Sequence, residues 1–234
     1  MNFPTSKNRS FSTIIAAFSL TVITAVSQGC VNQKTPTAEV PKPEQKTEQV
    51  AQSPSASSAT LANLQAAYNG ESNAHVRYLA FAKKADAEGY AQVGSLFRAA
   101  AKAEQIHRDH HATVIRQMGA TPENKIETPE VKSTADNLQA AIKGESYERD
   151  TMYPQFIAEA QKSGNKAAVR SFQYAVSAEK EHAKLYTSAS NNLADWKVAK
   201  AFYVCPECGF TVMAIDFANC PECGTPKAQF EQVI

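Results

Sequence analysis

Residues Asn63–Ser72 read NLQAAYNGES, and residues Asn137–Ser146 read NLQAAIKGES. Eight of the ten positions agree at an offset of 74 residues, so Glu71 and Glu145 hold the same place in two copies of one segment. Thr60-x-x-Asn63 leads into the first copy and Thr134-x-x-Asn137 into the second, and Thr is a reasonable helix N-cap. Leu64, Ala67 and Tyr68 recur at helical spacing, as do Leu138, Ala141 and Ile142. The spacing predicts one helix over about 60–88, ended by Gly89, and another over about 134–163, ended by Gly164.

The segments that follow also match. A helix expected over about 91–118 contains AEQIH (Ala103–His107), and one over about 166–192 contains AEKEH (Ala178–His182). Both carry Glu-x-x-His, Glu104 with His107 and Glu179 with His182, at an offset of 75 residues. The repeating unit is therefore a helical hairpin, with a central Glu on its first helix and a central Glu-x-x-His on its second.

Residues three apart share a helix face, so each Glu-x-x-His can aim both side chains inward at one metal. One Glu from each of two helices plus a Glu-x-x-His from each of the other two is the established ligand plan of carboxylate-bridged di-iron bundles of the ferritin-like kind. Connectivity agrees. Turns of about two residues close each hairpin, and about fifteen residues with Pro122 and Pro129 separate the hairpins. A helix of about 28 residues is roughly 42 Å long, and fifteen extended residues reach about 50 Å. One long crossover is thus feasible. A lone Glu-x-x-His is usually a solvated face; two of them in matched slots are not explained that way.

The symmetry of the copies breaks at one informative place. Three residues after Glu71 stands Ala74, but three after Glu145 stands Glu148, a fifth carboxylate one turn along the same face. Five glutamates around one small cavity repel one another, and burial adds to the cost of ionising them. Two divalent metals would offset that charge.

Near the C-terminus the cysteines read C-x2-C-x11-C-x2-C: Cys205, Cys208, Cys220 and Cys223. Paired C-x-x-C knuckles set four thiolates tetrahedrally around one metal, and spacing alone does not separate iron from zinc. In an exported protein two disulfides are the competing reading. Phe202, Tyr203, Phe210 and Phe217 lie nearby as candidate shielding for the site.

GESNAHVRY (Gly70–Tyr78), AEQIH, GESYE (Gly144–Glu148) and AEKEH together resemble the four helices of rubrerythrins, and the four-cysteine segment resembles their rubredoxin-like module. The resemblance covers about residues 60–234. It implies an all-α, ferritin-like four-helix bundle over 60–193 (two helical hairpins with a long crossover), followed by a rubredoxin-like domain over 200–234. It implies two non-haem irons held by Glu71, Glu104, His107, Glu145, Glu148, Glu179 and His182, and one iron, or zinc, held by the four cysteines. It gives Tyr78 a hydrogen bond to a ligand carboxylate, and it sets Glu148, His107 and Tyr78 closest to the chemistry. His75, His110 and His111 match no ligand and read as surface residues.

The chain of 234 residues is long enough for a sizeable core, and its net charge of +1 gives no basic field for nucleic acid. Lys7 and Arg9, an apolar run to about Val26, and SQGC ending at Cys30 read as a secretory signal over 1–29. A cysteine after the cut resembles a bacterial lipoprotein signal with Cys30 lipidated. Ser27 and Gln28 depart from that motif, and an uncleaved anchor is the alternative. Residues 30–59 are rich in Pro, Gln, Thr, Ser, Lys and Glu and read as a disordered tether. The expected protein is exported and touches the membrane only through this anchor.

The resemblance implies reduction of hydrogen peroxide to water, with electrons returned one at a time through the four-cysteine iron from a donor protein or reductase. It implies a homodimer or higher oligomer in which the cysteine module of one subunit approaches the di-iron site of another. The rival reading is a ferritin-like iron oxidase or iron store that uses O2.

Overall fold

The structure is a computed structural model that describes residues 54–234. The expected signal, Cys30 and the tether up to residue 53 lie outside the described residues. Helices α1 (Pro54–Ala87) and α2 (Ala91–Gln117) form one hairpin; α3 (Thr134–Tyr147), a π-helical turn (Glu148–Met152), α4 (Tyr153–Lys162) and α5 (Lys166–Asn191) form the other. Strands β1 (Phe202–Val204), β2 (Thr211–Val212) and β3 (Glu231–Val233) make an antiparallel sheet in the order β2-β1-β3.

Both hairpin turns use the same device. Gly89 (φ 80°) and Gly164 (φ 68°) take the left-handed conformation that costs a side chain energy. The next residue's N–H then reaches back to the last helical turn, Tyr90 to Ala85 O at 2.8 Å and Asn165 to Ala160 O at 3.0 Å.

Three local expectations change. Helix α1 begins at Pro54 rather than Thr60, so residues 54–59 are helix and not tether. Proline suits a first helical position, where its missing N–H costs nothing. The Thr60 hydroxyl, inside the helix, donates to Ala56 O. The α3 cap is Ser133, whose Oγ accepts from Asp136 N, one residue before the expected Thr134. The third helix is interrupted by the π turn. Pro154 carries no N–H and crowds the carbonyl four residues before it, and the Tyr153 N–H bonds Glu148 O, five residues back. The extra residue explains why the repeat offset is 74 at Glu71/Glu145 but 75 at Tyr78/Tyr153 and beyond.

The crossover, residues 118–133, has no regular structure but is tied to α1 by a ladder of amides. Gln65, Asn69 and Asn73 sit four residues apart on one helix face. Their side-chain oxygens accept from the N–H of Glu123, Lys125 and Glu127. The Gln65 and Asn73 amides donate to Thr121 O and Lys125 O. Glu88 at the end of α1 accepts from Thr134 N at 2.8 Å, fixing where α3 starts.

The core has two apolar ends. Tyr78, Phe81, Leu96, Phe97, Leu138 and Tyr186 fill one, with Phe97–Tyr186 ring centroids 5.1 Å apart. Leu64, Ile115, Tyr153 and Phe172 fill the other, packed by Phe156. Each fully buried Leu or Phe contributes about 1.5–3 kcal/mol. On α1, α2, α3 and α5 the buried acidic and histidine positions fall between these ends, so the bundle holds a polar layer between two apolar plugs.

Candidate metal centre

The layer consists of Glu71 on α1, Glu104 and His107 on α2, Glu145 on α3, and Glu179 and His182 on α5. All are buried, at 0–1% exposure. Their donor atoms form two groups that share two members. One is Glu71, Glu104, His107 and Glu179; the other is Glu104, Glu145, Glu179 and His182. Within each, all donor atoms lie within 4.8 Å of one another. His107 Nδ1 stands 3.0 Å from Glu104 Oε2 and 3.3 Å from Glu179 Oε1. His182 Nδ1 stands 2.9 Å from Glu179 Oε2 and 3.4 Å from Glu104 Oε1. Glu104 and Glu179 thus lie between the two halves, where a bridging carboxylate belongs.

The histidine tautomers suit a metal on the inner side. His107 Nε2–H donates to the carbonyl of Cys208 at 3.1 Å, and a carbonyl only accepts, so its Nδ1 keeps a lone pair. His182 Nε2 lies 3.2 Å from Thr211 Oγ1, whose hydrogen goes to Gly209 O. A metal-bound imidazole ordinarily donates its other N–H in this way. Glu71 Oε2, Glu104 Oε1, Glu145 Oε2 and Glu179 Oε1 are buried without any hydrogen-bond partner. An orphaned buried acceptor costs about 1–3 kcal/mol, and four of them beside two imidazole lone pairs fit two divalent cations.

Electrostatics tell the same story. Burial, reinforced by Glu104 and Glu148, pushes the Glu71 carboxyl well above its ordinary range. Burial with Glu104 and Glu145 does the same to Glu179. Burial opposes ionisation of Glu104 too, but without metal the His107 and His182 imidazoles, once protonated, outweigh it and hold that carboxyl low. Burial alone would lower His182; without metal the surrounding carboxylates of Glu104, Glu145 and Glu179 raise it instead.

Two tyrosines cross the layer. The Tyr78 hydroxyl donates to Glu145 Oε1 at 2.5 Å, as the resemblance implied, and the Tyr153 hydroxyl donates to Glu71 Oε1. Tyr153 escaped the sequence reading because the π turn shifts it by one residue from the slot matching Tyr78. Glu148 opens that turn, half-buried and outside both four-residue groups. Burial, then Glu145 and Glu104, raise its carboxyl well above the usual range.

Of the three other histidines, one is not a surface residue. His111 is fully buried, with Nδ1 2.7 Å from Ser171 Oγ, Nε2 3.3 Å from Tyr153 OH, and Glu71 Oε1 at 3.9 Å. Burial, with His107 and His110 nearby, holds its imidazole neutral. His110 and His75 are half-buried, and each places a ring nitrogen on a carbonyl oxygen, of Glu207 and Ala101. The available signal was that His111 falls four residues after His107, on the ligand face.

In the C-terminal module Cys205 and Cys223 lie 3.5 Å apart at sulfur, and Cys208 and Cys220 3.6 Å. None of the four is in a disulfide. Metal–sulfur bonds of about 2.3 Å give a tetrahedron with edges near about 3.8 Å, so the four thiols fit one metal. A hydrogen bond from Cys208 lowers the Cys205 thiol to about 5 against the effect of burial, with backbone N–H groups of Cys208 and Glu207 helping. Phe210, Phe217, Phe230 and Tyr174 pack around the sulfurs. Phe202 does not; it stacks on Trp196 in the bundle core and anchors the module there. Tyr203 is likewise absent from the cluster at the sulfurs.

The rubrerythrin family model matches residues 62–190, more than half of the chain. The chain belongs to the rubrerythrin family. It is 40% identical over 182 residues to nigerythrin of Nitratidesulfovibrio vulgaris, covering 77% of this chain and 90% of that protein. It is 39% identical to Rubrerythrin-2 of Clostridium acetobutylicum, covering 72% and 93%. The structure of fully reduced, all-ferrous nigerythrin matches with TM-score 0.70 at 39% identity, over 84% of this chain and 98% of that one. As a rubrerythrin-family protein it has a carboxylate–histidine di-iron site and a four-cysteine site. Here the cysteine module meets the bundle within one chain, since Cys208 and His107 belong to the same molecule.

Proposed function

We propose that the protein is a peroxidase that reduces hydrogen peroxide to water and protects against oxidative stress. The observation that carries the reading is the hydrogen bond from His107 to Cys208 O, which links the two candidate iron sites directly. When bound, two ferrous irons supply the two electrons that one O–O bond requires, and the four-cysteine iron returns electrons singly. The overall balance is H2O2 + 2e− + 2H+ → 2H2O.

The protein's part is positioning and protons. Glu71 and His107 serve one half, Glu145 and His182 the other, and Glu104 and Glu179 both. Tyr78 and Tyr153 fix the orientation of Glu145 and Glu71. The buried aromatic plugs exclude bulk water. Glu148, raised above the carboxylate range and opening the π turn, is placed to hold a proton for the departing oxygen. An external redox protein replenishes the cysteine site, and the family forms homo-oligomers.

We also propose that the protein is exported and tethered through Cys30. Labelling cells with a radioactive fatty acid tests this: label in the protein that Cys30→Ser removes supports it, and equal label in both excludes lipidation there.

The activity is tested on protein lacking residues 1–47. The protein is iron-loaded, reduced without air and given peroxide in small steps. Consumption of one peroxide per two stored electrons, with no O2 released, supports a peroxidase. Electrons drawn faster by O2 than by peroxide would favour the oxidase reading.

A further inference from the structure

The two halves of the bundle also differ one turn beyond the histidines of the layer. At the 75-residue offset, His111 corresponds to Tyr186 and Ser171 to Leu96. Both positions differ in polarity at once, and in one half the two polar residues touch, His111 Nδ1 to Ser171 Oγ at 2.7 Å. In the other half Leu96 and Tyr186 join the apolar plug, and the Tyr186 hydroxyl has no partner.

The hydrogens in the polar half follow from its partners. Glu71, ionised as a metal ligand must be, only accepts, so the single Tyr153 hydrogen goes to it. Tyr153 oxygen then accepts from His111 Nε2–H. A neutral imidazole has one donor and one acceptor, so His111 Nδ1 accepts from the Ser171 hydroxyl. Three donors stand in series, Ser171 to His111 to Tyr153 to Glu71, and donors in series polarise one another. On the Glu145 side Tyr78 donates with no imidazole behind it; the Arg77 guanidinium lies over its ring instead, 5.4 Å from the centroid.

We propose that His111, backed by Ser171, is a positioning residue that orients the Tyr153 hydroxyl onto Glu71 and makes the Glu71 half of the metal centre unlike the Glu145 half. The inference rests on the layer being metal-holding.

The test titrates Mn2+ into the full chain, stripped of metal and with its thiols reduced, followed by electron paramagnetic resonance. Oxygen and imidazole donors take Mn2+, whereas soft thiolates do not select it. Wild-type protein is expected to bind two Mn2+ in two resolved steps. His111→Leu should weaken one step about tenfold, the low end for loss of a ligand's hydrogen-bond partner, and spare the other. His111→Gln, whose amide can both donate to Tyr153 and accept from Ser171, should restore it. Ser171→Ala, which removes no packing volume of consequence, should shift the same step less; it stands in if the leucine variant does not fold. In Zn2+-loaded full chain, 15N spectra should show the Nε2–H tautomer at His111. Unchanged steps in both variants, equal weakening of both steps, or an Nδ1–H tautomer overturns the proposal. Wild-type protein that binds no Mn2+ overturns the metal reading and this inference with it.

Discussion

Nε2 of His107 donates to the carbonyl of Cys208 across 3.1 Å, so a candidate di-iron ligand and a candidate four-cysteine ligand are hydrogen-bonded neighbours. The approach depends on Gly209. A Cβ there would collide with His107 Nε2 and stand 3.2 Å from Ala103 Cβ, and its φ of +75° disfavours any side chain. Gly209→Ala is expected to lift the module from the bundle and slow electron return from the cysteine site at least tenfold. Both sites should still load with iron, by metal analysis. An unchanged rate would show that the contact carries no current.

Removing metal should change how stability depends on pH. His107 and His182 are raised above 6.5 in the fold, so their stabilisation is present below that pH and is lost as pH climbs through the folded values. Glu71, Glu148 and Glu179, also raised, favour the protonated fold and lose stability in the same direction. His111, depressed, opposes this only below 6.5. Metal-free protein should therefore melt lower at pH 8.5 than at pH 6.5, while metal-loaded protein should not. Parallel melting curves for the two forms would contradict the carboxylate layer as the source.

Glu148→Ala should cut peroxide turnover at least tenfold and leave metal content unchanged, because Glu148 stands outside both four-residue groups. Loss of one iron per chain would instead make it an essential ligand.

Asn69→Ala should loosen the crossover alone. It removes the acceptor for Lys125 N and a neighbour of Asn73, costing about 0.5–1.5 kcal/mol for a hydrogen bond. Limited proteolysis should then cut within 118–133 while metal loading persists; resistance equal to wild type would mean the amide ladder is dispensable.

Glu88 is exposed, and the contact with Thr134, whose N–H donates to it, lowers its carboxyl to about 2 with help from Lys84. That stabilisation is present above the ordinary carboxylate pKa and disappears as pH falls toward 2. Glu88→Gln should lower the melting temperature slightly at pH 7, with the difference from wild type shrinking in acid. A constant difference would show that charge has no part in it.

The duplicated segments made four helices and six of the ligand-like residues legible, because a central Glu and a Glu-x-x-His repeat where helical geometry sends both inward. Other features were hidden for identifiable reasons. The π turn shows only as a change of offset from 74 to 75, with Pro154 as its cause, and Tyr153 was lost with it. His111 looked like a surface residue because its partners, Ser171 and Tyr153, are 60 and 42 residues away. The order of the crossover lies in Gln65, Asn69 and Asn73, which read as a polar helix face until the backbone they bind is known. Phe202 is near the cysteines in sequence, yet the strand it starts carries it onto Trp196 and the bundle.

The most direct measurement is stopped-flow absorption of fully reduced, iron-loaded protein mixed with one equivalent of peroxide, and separately with O2. Return of the visible thiolate–iron band, faster with peroxide than with O2, is the predicted result for a peroxidase wired through His107 and Cys208. A band that stays bleached after peroxide, or that returns faster with O2, would contradict it.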